Sequence, residues 1–108
     1  MTIHETTQKG ACILAISGRL DFPSRDEIQE AIKTALASGS THIILNLRNV
    51  TFIDSSGLGI LLLASKDCKK SKVRLSLCQA QNYVQEVLAL GKINTQIPIH
   101  DSLEAALA

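Results

Sequence analysis

The segment Asp54-Ser55-Ser56-Gly57 concentrates more candidate chemistry than any other stretch of this 108-residue chain. A carboxylate next to two hydroxyls invites a hydrolase reading. A nucleophile elbow, however, needs a glycine two residues before its serine, and Ile53 or Asp54 stands there instead. Gly57-Leu58-Gly59 is glycine-rich, yet no Gly-Lys-Ser/Thr follows, so it matches a phosphate-cradling nucleotide loop only weakly. His4, His42 and His100 show no i,i+4 pairing and no clustered carboxylates, and read as three surface histidines rather than metal ligands. Cys12, Cys68 and Cys78 are odd in number, lack a C-x-x-C spacing and sit in apolar surroundings, as buried reduced thiols of a cytosolic protein do. Lys66, Lys69, Lys70, Lys72 and Arg74 form a basic cluster. It reads as a solvated helix end, with a phosphate or acidic partner as the alternative. No catalytic residue, metal site or cofactor is assigned.

What remains is the polar run itself. Asp, Ser and Ser directly ahead of Leu58, Ile60, Leu61, Leu62, Leu63 and Ala64 are residue types that cap a helix N-terminus. One cap needs one residue. Three candidates in a row, then two glycines that let a backbone or ligand approach closely, exceed that need. Plain capping and a functional role both remain open on the residues alone.

These residues need elements to hold them. With 45% apolar and 19% charged residues, the chain has the composition of one globular domain over residues 1–108, large enough to fold without metal or disulfide staples. A net charge of +1 and 3% aromatics give neither the field nor the stacking platforms that nucleic-acid binding uses. The N-terminus has no basic stretch ahead of an apolar run, and the apolar stretch around 51–65 is too short to span a bilayer. A soluble, cytoplasmic protein is expected, with no membrane partner, as a monomer or weak dimer.

Hydrophobic periodicity alternates between strand-like and helical. A short strand is expected around Ile3. Cys12–Ile16, bounded by Gly10 and Gly18, reads as a strand covered on both faces. Ser24-Arg25-Asp26-Glu27 has the pattern of a capping box, and Ile28, Ala31, Ile32, Ala35 and Leu36 continue at helical spacing until Gly39. His42–Leu47 is a second buried strand, joined to the first by a parallel crossover. The next helix, about 56–70, is apolar nearly all round at its start, which predicts that this part is largely buried. Val73–Leu77 alternates, as a strand with one partly wet face does. A helix over 80–90 stops at Gly91, Thr95–Ile99 is a last strand with Pro98 at its edge or end, and a short helix spans 101–107. The implied architecture is α/β: a small mixed sheet of four to five strands with about four helices packed on it.

Phe52-Ile53-Asp54-Ser55-Ser56-Gly57-Leu58-Gly59, preceded by His42–Leu47 and by Ser17-Gly18-Arg19-Leu20-Asp21, resembles the signature series of the STAS domain, in particular of the bacterial anti-sigma factor antagonists. The resemblance runs over nearly the whole chain and implies a STAS-like fold and a binding module rather than an enzyme. By position, it makes Ser55 the phosphoacceptor of a partner that is both serine kinase and anti-sigma factor. The unmodified antagonist binds that kinase and frees the sigma factor, and a PP2C-type, metal-dependent serine phosphatase restores it. Arg19 stands where the family commonly has glutamate, a departure that bears on partner choice. A constitutive scaffold, with Ser55 only a cap, and a weak nucleotide-binding STAS domain are the alternatives.

The partner surface is expected around Asp54, Ser55, Ser56, Gly57 and Leu58, together with Asp21, Phe22 and Ser24 of the neighbouring loop. Loops that follow adjacent parallel strands open on the same end of a sheet. Phe22 is an aromatic in a loop. Its ordinary place would be the core, and an interface anchor is the sharper reading.

Overall fold

The computed structural model describes residues 1–108. Five strands and four helices follow one another as β1 (Thr2–Gln8), β2 (Ala11–Leu20), α1 (Arg25–Ala37), β3 (His42–Ile53), α2 (Ser55–Lys70), β4 (Arg74–Cys78), α3 (Asn82–Leu90), β5 (Ile99–His100) and α4 (Leu103–Leu107). The sheet order is β1-β2-β3-β4-β5. β1 and β2 pair antiparallel across the two-residue turn Lys9-Gly10, where both residues have positive φ, the backbone that a tight hairpin requires. From β2 onward every neighbour is parallel, each joined through an intervening helix or loop.

One face of the sheet carries the larger core. Cys12, Leu14 and Ile16 of β2, Ile43, Leu45 and Leu47 of β3, and Leu75 and Leu77 of β4 pack with Ile28 and Ile32 of α1, Leu61 and Ala64 of α2, and Val84 and Leu88 of α3. The opposite face has a small cluster in which Ala106 of α4 covers Ala11, Ile13, Ile44 and Cys78. His42–Leu45 are buried on both faces as their apolar run predicted, and beyond them only Leu47, Val50 and Ile53 of β3 are buried. The strand also runs on to Ile53, well past the expected Leu47, because β2 lengthens beside it to Leu20 with bulges on the way.

Several expectations are corrected. The strand expected over Thr95–Ile99 is not formed as such. Ile93–Thr95 make a 3-10 turn that buries both Ile93 and Ile97, and only Ile99–His100 pair with β4. The core's demand for the two isoleucines overrides their strand propensity. β4 has no wet face between Leu75 and Cys78, because Ser76 is buried with a hydrogen-bond partner. Gly91 does end α3, but at ordinary negative φ. Its need is space, since a Cβ there would lie 2.8 Å from Leu58 Cδ1. Gly39, by contrast, does take a left-handed backbone just past α1. No helix is long and apolar enough to cross a membrane.

Candidate functional site

Leu20 and Ile53 are paired neighbours at the ends of parallel strands, so the residues after each leave the sheet side by side. That brings the Asp21–Ser24 loop next to the start of α2, as the two segments were expected to lie. Asp54 sits in extended conformation at the N-cap, and its Oδ1 accepts from the Gly57 N–H at 3.0 Å. One residue therefore does the capping. Ser55 and Ser56 form the first turn of α2, both exposed and neither hydroxyl hydrogen-bonded.

The two glycines have different roles. A Cβ at Gly57 would run into the Leu20 carbonyl oxygen and lie 2.8 Å from Ile53 Cγ1, so the helix can reach the strand ends only with glycine there. Gly59 meets nothing within 4 Å. Its bare backbone lies in the floor of a shallow groove of about 230 Å³, lined also by Phe22, Arg25, Gln29, Ser56 and Leu63.

The loop departs from the capping-box expectation. Ser24 makes no hydrogen bond to the first turn of α1. Instead its hydroxyl donates to the Asp21 carbonyl at 2.7 Å and accepts from the Asp21 N–H at 3.0 Å, closing the 3-10 turn Phe22–Ser24. That turn buries Ser24 and turns Phe22 outward, 57% exposed rather than in the core. Leu62 and Leu63 are also exposed, so the first half of α2 is not buried all round. A helix lying on one face of a sheet can cover only one stripe. Gly57 is buried and Leu58 half-buried, the latter packed toward Gly91.

A ladder of residues beside this corner escaped the sequence reading. The Arg19 guanidinium donates from Nε to Asp21 Oδ2 at 3.0 Å and lies 3.9 Å from the Phe52 ring centroid. Phe52 in turn stacks on Tyr83, centroids 6.5 Å apart, and the Tyr83 hydroxyl donates to the Ile53 carbonyl at 3.2 Å. The i, i+2 spacing of Arg19 and Asp21 was a signal for the first contact. Nothing local announces the others, which join residues about 30 positions apart.

At the opposite end of the sheet His42 is buried, not a surface residue. Its Nδ1 lies 3.1 Å from an Arg74 Nη and its Nε2 lies 2.8 Å from Ser76 Oγ. A guanidinium can only donate, so Nδ1 accepts, the ring proton sits on Nε2, and that N–H donates to Ser76. This inverts a Ser-His catalytic pair, where Nδ1–H is held by a carboxylate and Nε2 is free to take the serine proton. Burial first, then the nearby Arg74 and His100, lower the His42 pKa and keep the ring neutral. The arrangement holds two strands together and has no general base. The three thiols are buried, and Cys68 and Cys78 are pushed up to about 11, mainly by burial, so they are inert as nucleophiles.

The profile of the STAS domain matches residues 2–106, and the chain belongs to that family. The anti-sigma F factor antagonist of Paenibacillus polymyxa is 30% identical over 99% of this chain and 92% of its own length. The crystal structure of an anti-sigma factor antagonist from Mycobacterium paratuberculosis superposes with a TM-score of 0.87 at 21% identity, covering 98% of this chain and 90% of that one. The Bacillus cell fate determinant SpoIIAA in its phosphorylated form gives 0.72 at 22% identity, over 98% and 96%. The proteins named here as antagonists are regulatory binding proteins, and no catalytic family is indicated.

Proposed function

We propose that this chain is a phosphorylation-switched anti-sigma factor antagonist. Unmodified, it binds an anti-sigma factor serine kinase and so releases a sigma factor. Phosphorylation of Ser55 ends that binding, and a PP2C-type serine phosphatase restores it. The observation that carries this reading is the division of labour at the start of α2, where Asp54 takes the cap and leaves the Ser55 hydroxyl exposed and unbonded. A hydroxyl in that state can be offered to a kinase without unfolding anything. The relatives, named as antagonists of anti-sigma factors, support the same partner class.

The partner surface, on this reading, is the corner formed by Asp21, Phe22, Asp54, Ser55, Ser56 and Leu58. Ser24 and Gly57, both buried, shape it: one closes the loop that projects Phe22, and the other lets α2 sit against the strand ends. Phosphate at Ser55 adds about −1.5 to −2 charges next to Asp54 at the start of α2. The helix dipole favours such a charge by roughly 0.3–1 kcal/mol, so the fold persists. At a desolvated interface an uncompensated charge costs about 3–5 kcal/mol, so binding is lost.

Intact-mass measurement after incubation with the producing cell's extract and ATP tests the modification. The wild-type chain gains one phosphate and Ser55→Ala gains none. An unmodified wild type, or an equally modified Ser55→Ala, sinks the reading.

A further inference from the structure

The Ser55 switch does not use the other end of α2. Fourteen residues on from Ser55, about 21 Å along the helix axis, a cavity of about 500 Å³ opens beside the outer edge of β4. It exists because β5 is only two residues long and pairs with Leu77 and Cys78, leaving the rest of that edge uncovered. Ligand sites of drug-like size span about 300–1,000 Å³.

The charged side chains of the lining are of one sign. Lys69 and Arg74 line it together with His100, and no Asp or Glu does. Two of its hydroxyls are at least nine-tenths buried, Ser76 at 4% exposure and Ser65 at 5%. Their hydrogen bonds are what make the cavity more than a gap. Arg74 donates to His42 Nδ1, His42 Nε2–H donates to Ser76 Oγ, and the Ser76 O–H is therefore left as a donor with no acceptor in the chain. Ser65 makes no side-chain hydrogen bond, and no sealed-off polar side-chain atom exists, so its Oγ opens on the cavity it lines. Lys69 reaches over the same cavity to Gln96 Oε1 at 3.2 Å, a neutral acceptor that leaves its charge uncompensated. Cys68, Val73 and Leu75 supply the apolar wall.

Free donors, two uncompensated cations and an apolar wall select one chemistry. We infer that this cavity binds a small organic anion, an oxyanion head on a short apolar body, with the head on Arg74 and Ser76 on one face of β4 and the body turned over the uncovered edge of that strand against Val73 and Leu75 on the other. The inference stands apart from the Ser55 reading, since neither site shares a residue with the other.

Amide-resolved NMR titration of the full chain tests it, with octanoate, octyl phosphate and octanol as probes. At least one of the two anions shifts the Leu75, Ser76 and Lys69 amides saturably, with a Kd at least tenfold below that of octanol. The tighter of the two names the head as carboxylate or phosphate. Arg74→Gln, at an exposed position, raises that Kd about tenfold while the thermal melt stays cooperative. No saturable shift by either anion below about 10 mM, octanol binding as tightly, or an unchanged Kd in Arg74→Gln overturns the inference.

Discussion

The two ends of the sheet treat polar side chains in opposite ways. At the Asp54 corner one carboxylate satisfies the helix end, and Ser55 and Ser56 stand in water with nothing to bond. At the His42 end an imidazole and a hydroxyl lie inside the fold, and each has a partner. Water satisfies an exposed hydroxyl at no cost, so it stays available for modification. A buried polar group must be bonded or it destabilises by about 1–3 kcal/mol. On the proposed function, reactivity toward another protein belongs to the first end, and sensitivity to pH is expected at the second.

The largest expected effect breaks the first end without touching the second. Ser55→Asp, a partial mimic of the phosphoserine, lowers affinity for the anti-sigma kinase by a hundredfold or more, measured by calorimetry, and melts within a few degrees of the wild type. Ser55→Ala keeps the affinity. A Ser55→Asp chain that binds as well as wild type sinks the switch, and one without a cooperative melt sinks the claim that structure is spared.

Next in size is the contrast between Gly57 and Gly59, two positions apart on one helix. Gly57→Ala forces a Cβ against the Leu20 carbonyl and should cost about 2–3 kcal/mol. Gly59→Ala fills open space in a helix and should be neutral or gain about 0.5–1 kcal/mol. Urea denaturation of the pair decides it, and equal midpoints would remove the packing argument.

At the other end the sign of the pH effect follows from His42. Its pKa is lowered in the folded chain, so below the ordinary 6.5 the unfolded state takes up a proton more readily than the folded one. The stability contributed by neutral His42 is fully present above pH 6.5 and is lost as pH falls from there toward the folded value. His42→Gln should flatten the melting temperature between pH 7 and 5. An equally steep fall in the variant would place the sensitivity elsewhere.

The smallest effect concerns the ladder beside the corner. Tyr83→Phe keeps the stack on Phe52 and removes only the bond to the Ile53 carbonyl, so it should cost about 0.5–1.5 kcal/mol. Arg19→Ala, at an exposed ion pair, should cost less than about 1 kcal/mol. A stability loss above that in Arg19→Ala would show the ladder to be a structural support rather than surface decoration.

The sequence by itself determined where the helices lie, because 3.6-residue periodicity and end signals are local. All four were legible to within a few residues, and the strands at His42–Leu47 and Cys12–Ile16 were legible at their starts, although they run on to Ile53 and Leu20. It also singled out Asp54-Ser55-Ser56-Gly57, since polar residues at a helix start are a local pattern. Which of the three takes the cap was not legible, because Asp54, Ser55 and Ser56 all can. The strand end and the tight seat of Gly57 against Leu20 made the choice. Residues whose state depends on distant partners were misread. His42 is buried only because Arg74 and Ser76, more than 30 positions away, bond both its nitrogens. Phe22 was misread for a local reason instead: it points outward because Ser24 folds back on Asp21 rather than onto α1, and the residue types allowed either bond. The strand expected at Thr95–Ile99 shrank to Ile99–His100 because Ile97, like Ile93 before it, was drawn into the core. Propensity and capping act over a few residues, whereas burial is settled between elements, so the tertiary structure alone decided which polar groups were hidden and which were left free.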